Sequence, residues 1–160
     1  MTKDVTISIR GIQFAEGNGD DSIETVQQGE YFFKNEGHYL LYDEYEEGYH
    51  EPVKNMLRFK DGELTLTKRG LLNVQMIFAV GKKNLSHYQT PYGAILMGMD
   101  TSKITFKEQE HAIFLDVEYT LEANYQYVAD CHIAIEVWDR GYQNMYLRRN
   151  AKEAEGNLGS

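Results

Sequence analysis

The chain of 160 residues has one cysteine, two prolines, one tryptophan and no apolar run of membrane-spanning length. Cys131 alone cannot form an internal disulfide, so the fold has to be held by a core, as suits a reducing cytoplasm. Pro52 and Pro91 are too few to stiffen a linker, and the 14 glycines are dispersed. Basic residues are scarce as well: 16 Lys and Arg stand against 25 Asp and Glu, a net charge of −9. That balance opposes a sequence-independent grip on nucleic acid or on an anionic membrane, and favours solubility. Met1-Thr2-Lys3-Asp4-Val5 lacks the apolar run of a signal peptide. The expectation is a cytoplasmic, soluble protein of one main domain, large enough to bury its own core.

What the chain does have is tyrosine and alternation. Twelve Tyr and seven Phe suit half-buried pleated surfaces. Val5, Ile7 and Ile9 alternate with Thr6, Ser8 and Arg10, and Gly11 breaks the beat before Ile12 and Phe14 resume it on the other parity. Gly29 lies inside a second run, Ile23–Lys34. Glycines at such places predict bulges that curl a sheet. Gly17-Asn18-Gly19-Asp20 reads as a turn, and Asn35-Glu36-Gly37 as a hairpin loop with Gly37 able to take the left-handed position. Tyr39, Leu41 and Tyr45 share a face of the next strand. Val53, Asn55, Leu57 and Phe59 alternate up to Asp61-Gly62, beyond which Leu64 and Leu66 continue the pattern. Asp-Gly between alternating runs is a strong hairpin signal. Leu72, Val74, Met76 and Phe78 define another strand face, and Gly81–Asn84 a turn. After Lys107–Glu110 come Ile113, Leu115, Val117, Tyr119 and Leu121. Glu122–Gln126 turns into Cys131, Ile133, Ile135 and Val137.

Between these lies His87–Phe106, where Tyr88, Thr90 and Tyr92 alternate while Pro91 and Gly93 occupy positions favoured in a type I turn. The chain there either bends sharply or continues as a kinked strand. Eight to ten short antiparallel strands with short connections predict an all-β, closed up-and-down barrel over residues 1–139, although a two-sheet sandwich has the same periodicity. Residues 140–160 form an extension in which Gln143–Glu155 favours a short helix and Gly156–Ser160 reads as disordered.

An ordered set of motifs carries a resemblance: Thr6-Ile7-Ser8-Ile9, Gly29-Glu30-Tyr31, Tyr39-Leu40 with Tyr42, Arg69-Gly70, Tyr88 with Thr90-Pro91-Tyr92-Gly93, and Thr101. In these, over roughly Val5 to Val137, the chain resembles the YwiB-like family of uncharacterised bacterial proteins. The resemblance implies a calycin-like, lipocalin-like closed barrel, with no activity, cofactor or catalytic residue to carry over. Gly11-Ile12-Gln13 departs from the Gly-x-Trp of lipocalins proper, and the tail beyond Asp139 runs past the usual end of such domains.

Chemistry is sparse. His38, His50, His87, His111 and His132 are not at metal-ligand spacing, and Cys131 sits on an apolar face as a core residue would. Asp43-Glu44-Tyr45-Glu46-Glu47 offers carboxylates for a hydrolase at a barrel mouth, but its position suits a solvated loop better. The chain lacks the early Glu-x-Glu-x-Lys strand of tunnel triphosphatases, and Gly17-Asn18-Gly19 opens no helix that could cradle phosphate. The leading expectation is therefore a binding module without a cofactor or metal, holding a small apolar or amphipathic molecule in the barrel cavity. The side chains predicted to meet it are Tyr88, Thr90, Tyr92, Arg58, Arg69 and Gln75. A filled barrel that works as a protein-interaction module, and a carboxylate hydrolase, are the alternatives.

Overall fold

In the computed structural model of the protein, residues 1–11, 24–45 and 47–142 are described, with Thr90 described for its backbone alone. Ten antiparallel strands form one sheet: β1 Asp4–Arg10, β2 Glu24–Lys34, β3 Gly37–Glu44, β4 Val53–Lys60, β5 Glu63–Arg69, β6 Val74–Ala79, β7 Lys83–Thr90, β8 Gly93–Glu108, β9 Ala112–Ala123 and β10 Gln126–Asp139. Their spatial order, β6-β5-β4-β3-β2-β1-β10-β9-β8-β7, is a meander whose first and last strands pair from Val5↔Asp139 to Arg10↔Ala134. The wall therefore rolls into a nearly closed antiparallel barrel, as the alternation predicts. The expected turn at Gly17–Asp20, the Ile12–Phe14 run and the helix over Gln143–Glu155 fall outside the described residues.

Turn chemistry fixes the registers. Three hairpins have two-residue loops with both central residues at positive φ: Asn35-Glu36, Asp61-Gly62 and Asn124-Tyr125. Such turns match the twist of the flanking strands. At the first of them the left-handed residues are Asn35 and Glu36, whereas Gly37, expected in that role, is the buried first residue of β3. Pro91 and Tyr92 form the bend between Thr90 and Gly93, so the chain turns there, and the alternation from Tyr88 stops short of Tyr92.

The two register shifts lie at Tyr127/Ala129 and Thr101/Lys103, away from the glycines. Gly11 follows the end of β1, and no shift marks Gly29. What Gly29 permits is close approach. β2 pairs with β1 through residues 24–30 and with β3 only through residues 30–34. At the changeover, a Cβ on Gly29 would stand 2.6 Å from Ile7 Cδ1 and 2.7 Å from the Leu41 carbonyl oxygen. The side chain can yield; the backbone oxygen cannot.

Inside, one phase of every strand builds the core: Val5, Ile7 and Ile9; Leu64 and Leu66; Val74, Met76 and Phe78; Ile113, Leu115, Val117 and Tyr119; Ile133, Ile135 and Val137. Phe78 is fully buried and meets the Tyr119 ring edge-on at 4.8 Å. Each such side chain contributes about 1.5–3 kcal/mol of burial, so this filled lumen is the main source of stability. At the β1–β10 closure, buried Asp139 accepts hydrogen bonds from Thr2 N (2.8 Å) and Thr2 Oγ1 (3.1 Å), and its other oxygen lies 2.8 Å from His111 Nδ1. Burial pushes the Asp139 carboxyl up, but the hydrogen bonds from His111 and Thr2 outweigh it and hold the group below the usual carboxylate range.

Two outcomes follow. Gly29→Ala should cost about 1–3 kcal/mol in urea unfolding, because the Glu30↔Leu41 rung must open to admit the methyl; an unchanged midpoint would refute the close-approach reading. Because the folded-state pKa of Asp139 is depressed, its stabilisation is present above the unfolded value and fades as pH falls through the folded one. Asp139→Asn should therefore flatten the loss of stability on acidification below the unfolded carboxylate's ordinary range, relative to the parent chain.

Candidate functional site

The lumen is nearly full. Its cavity, of about 20 Å³, is lined by Leu40, Leu57, Leu64, Leu115, Ile135, Val137 and their neighbours. That is room for about one water, and sites for drug-sized ligands run to about 300–1,000 Å³. An aromatic cap closes this end. Phe59 stacks on Phe106 at 4.7 Å, and His38 lies 4.9 Å from both Phe33 and Phe106. Burial lowers the His38 pKa against the opposing pull of Glu108. Burial, reinforced by Glu108, pushes Tyr31 up to about 12. Both are thus neutral at pH 7, and the Tyr31 hydroxyl and His38 Nδ1 share a hydrogen bond of 2.8 Å.

The six predicted ligand residues do not share one space. Tyr88 is buried in the core, whereas Tyr92 is 97% exposed at the hairpin tip because the bend carries it out of the strand's alternation. Arg58 is half-buried between Tyr39 and Thr65 in the register, in the phase opposite to the inward Leu57 and Phe59. Arg69 and Gln75 are exposed, and they meet in an outer groove of about 300 Å³ with His87 and Gln89. Thr90 contributes a backbone position alone. That groove lies over the seam between β6 and β7, which is joined by the Asn73↔Gln89 bridge and by a hydrogen bond from Ser86 Oγ to the Gln75 carbonyl.

Periodicity gave no notice of a second opening. Beyond the Glu30↔Leu41 rung, residues 24–29 of β2 and 42–44 of β3 have no ladder partner in one another. The strands part, leaving an open groove of about 660 Å³ whose lining includes Gln27, Gln28, Tyr42, Asp43, Lys54 and Asn55. Gln27, Tyr42 and Asn55 belong to the inward phases of their strands and form its floor. Asn55 is 3% exposed; its Nδ2 donates to Val53 O at 3.1 Å, which orients the amide, and its Oδ1 has no partner among the described residues. Gln27 Oε1 is likewise buried and unpartnered there. Of the other buried polar atoms without a partner, on Thr65, Thr67, Asn84 and Thr101, none borders this groove.

The polar character continues inward. Asn55 pairs in register with Lys68, whose ammonium is buried and meets Glu44 at 2.5 Å. Burial, and then Glu44, push the Tyr42 hydroxyl far above its ordinary value, so it stays protonated. Gln27, Tyr42, Glu44, Asn55 and Lys68 thus form a polar band in a mainly apolar lumen, in which Ser86 and Thr101 also lie in inward phases. An unsatisfied buried acceptor costs about 1–3 kcal/mol, and a donor that reached the Asn55 or Gln27 oxygen would offset that cost.

Among the described residues, the carboxylate run does not assemble an acid–base pair. Asp43 and Glu47 are exposed, Glu44 is bound to Lys68, and Glu46 lies outside the described residues. His111 belongs to the Asp139 clamp, and exposed His132 bonds Asp116 at 2.8 Å on the outer face. Among the described residues, no three His, Cys, Asp or Glu side chains gather as metal ligands. Burial raises the Cys131 thiol against a lowering hydrogen bond with Tyr119, which opposes thiolate chemistry. No helix among the described residues is long and apolar enough to cross a membrane.

If Asn55 is kept for binding rather than for folding, Asn55→Leu should leave the unfolding free energy in urea unchanged or raise it by up to about 2 kcal/mol; a loss would make it a structural residue. Comparison with known proteins supports the fold. The crystal structure of ywiB protein from Bacillus subtilis superposes with a TM-score of 0.71 at 20% identity, covering 86% of this chain and 92% of that one. No curated protein matches the sequence. A family model described as Domain of unknown function (DUF1934) matches residues 7–135, and the chain belongs to that family.

Proposed function

We propose that the protein is a binding module whose ligand enters through the parted wall between β2 and β3 and donates hydrogen bonds to Asn55 and Gln27. The observation that carries this reading is the pair of buried, partnerless amide oxygens beside an open groove. The expected lumenal site for an apolar molecule has the weaker support, because about 20 Å³ holds no such ligand unless the Phe59–Phe106 cap moves. An amphipathic ligand remains compatible with the groove, where Leu41 and Tyr45 offer apolar surface beside the polar floor. No nucleic-acid or membrane partner enters this reading, in keeping with the net charge of −9.

The test is an amide-detected NMR screen of small fragments, half of them donors (primary amides, amidines, amines) and half apolar. Donor fragments should shift Gln27, Tyr42 and Asn55, and lose their effect in Asn55→Leu. Apolar hits centred on Tyr31, His38, Phe59 and Phe106 would favour the lumen instead. No hits at either place would sink the binding reading.

A further inference from the structure

The groove has a property that a small-molecule pocket does not need: a long strand edge on one side, β2, facing a short one at the end of β3. Tyr31 N donates to Lys3 O, so odd-numbered residues of β2 turn their main-chain groups toward β1. By alternation, Gln28, Val26 and Glu24 turn theirs the other way, into the gap. On β3 the residues paired with β2 are Leu41, Tyr39 and Gly37, so Asp43 is the next whose N–H and C=O face the gap. If the ladder continued, Gln28 would meet Asp43; it stops one rung earlier. The gap thus offers the main-chain groups of Gln28, Val26 and Glu24 on β2 and of Asp43 on β3, with the Gln27 and Asn55 side chains beneath.

We infer that the occupant of this groove is an extended segment of another polypeptide, added as a strand between β2 and β3. The inference rests on the reading of the groove as the binding site and names the class of ligand. An extended backbone is the ligand whose own donors and acceptors repeat at the spacing of two strand edges, and addition to an exposed edge is an established mode of peptide recognition. Because β2 and β3 run antiparallel, the added strand must be antiparallel to one and parallel to the other. Alternate side chains would point inward, where Asn55 Oδ1 and Gln27 Oε1 call for a donor such as Ser, Thr, Asn or Lys. Along the rim, Asp4, Glu30 and Asp43 outnumber Lys54 and Arg140, on a chain of net charge −9, so a neutral or basic segment fits better than an acidic one.

The experiment is selection of a displayed library of short random peptides on the intact chain, with Asn55→Leu as counter-target. Selected peptides are then remade with N-methyl groups at alternate residues. The expected result is enrichment of uncharged-to-basic peptides with alternating patterns. N-methylation in one of the two phases should weaken binding at least about tenfold. Amide shifts should fall on both Val26–Gln28 and Asp43.

Binding that tolerates N-methylation in both phases, or maps elsewhere, overturns the inference. So does a failure to enrich any peptide while donor fragments still bind the floor, an outcome that leaves the groove reading intact. If fragments and peptides both fail, the two readings fall together. Dimerisation of the chain with these same amides protected would make the occupant a second copy and also overturn the proposal.

Discussion

Everything in this molecule depends on a hydrogen-bond ladder that has to return to its starting strand. The closure is made by β1 and β10, the two ends of the meander, over six rungs from Val5↔Asp139 to Arg10↔Ala134. Without it the wall would split along this line into two pieces with open edges, and could not exclude water from Ile7, Ile133 or Val137, each 0–1% exposed. The Asp139 clamp to Thr2 and His111 sits at the foot of this pairing. It fixes the segment before β1 against the end of β10, where fraying would begin.

Ten strands rolled regularly would enclose more space than eight, and eight already leave an interior that side chains just fill. This interior is filled nonetheless, and the wall parts in two places. The two partings are treated differently. At the β6/β7 seam, polar groups substitute for the missing rungs: Asn73 exchanges two main-chain hydrogen bonds with Gln89, and the Ser86 hydroxyl reaches the Gln75 carbonyl. The turn that aims Asn73 is itself held by its side-chain bonds to Gly70. Between β2 and β3 no such substitutes appear among the described residues, and the side chains beneath present acceptors. One parting is repaired and the other is left provisioned.

The fold was legible because burial in a β-barrel obeys a period of two, and the apolar phases of β9 and β10 were unbroken in the sequence. The hairpin at Asp61-Gly62 was legible for a similar reason, since few residues accept positive φ at both positions. The site was not. Pattern reading looks for tyrosine and arginine as ligand residues, but Tyr92 was thrown outward by the bend at Pro91, and Arg58 lies in the phase opposite to its strand's core residues. The usable signal was a polar residue standing in an apolar phase. Asn55 between Val53 and Leu57, Lys68 after Leu64 and Leu66, and Gln27 ahead of Gly29 and Tyr31 all break their beat at one end of the barrel. What no single strand could reveal is that these interruptions stand side by side, because that depends on pairing between strands distant in sequence.

That coincidence bears on why the gap exists at all. Closing it would need little: β2 and β3 are already in register, and the next rung requires only that Gln28 and Asp43 approach. Gly29 brings the two strands into contact at one point, with the Leu41 oxygen too near for any side chain. Past that point the inward positions are Gln27 and Tyr42, flanked by Asn55, where an apolar set would have drawn the strands together over a dry core. Polar side chains at these positions remove the driving force for closure, since burying them against one another without full hydrogen bonding would cost more than the rung contributes. The same residues that leave the wall open are therefore those that a donor entering through it would meet, and the architecture and the chemistry of the groove have one cause.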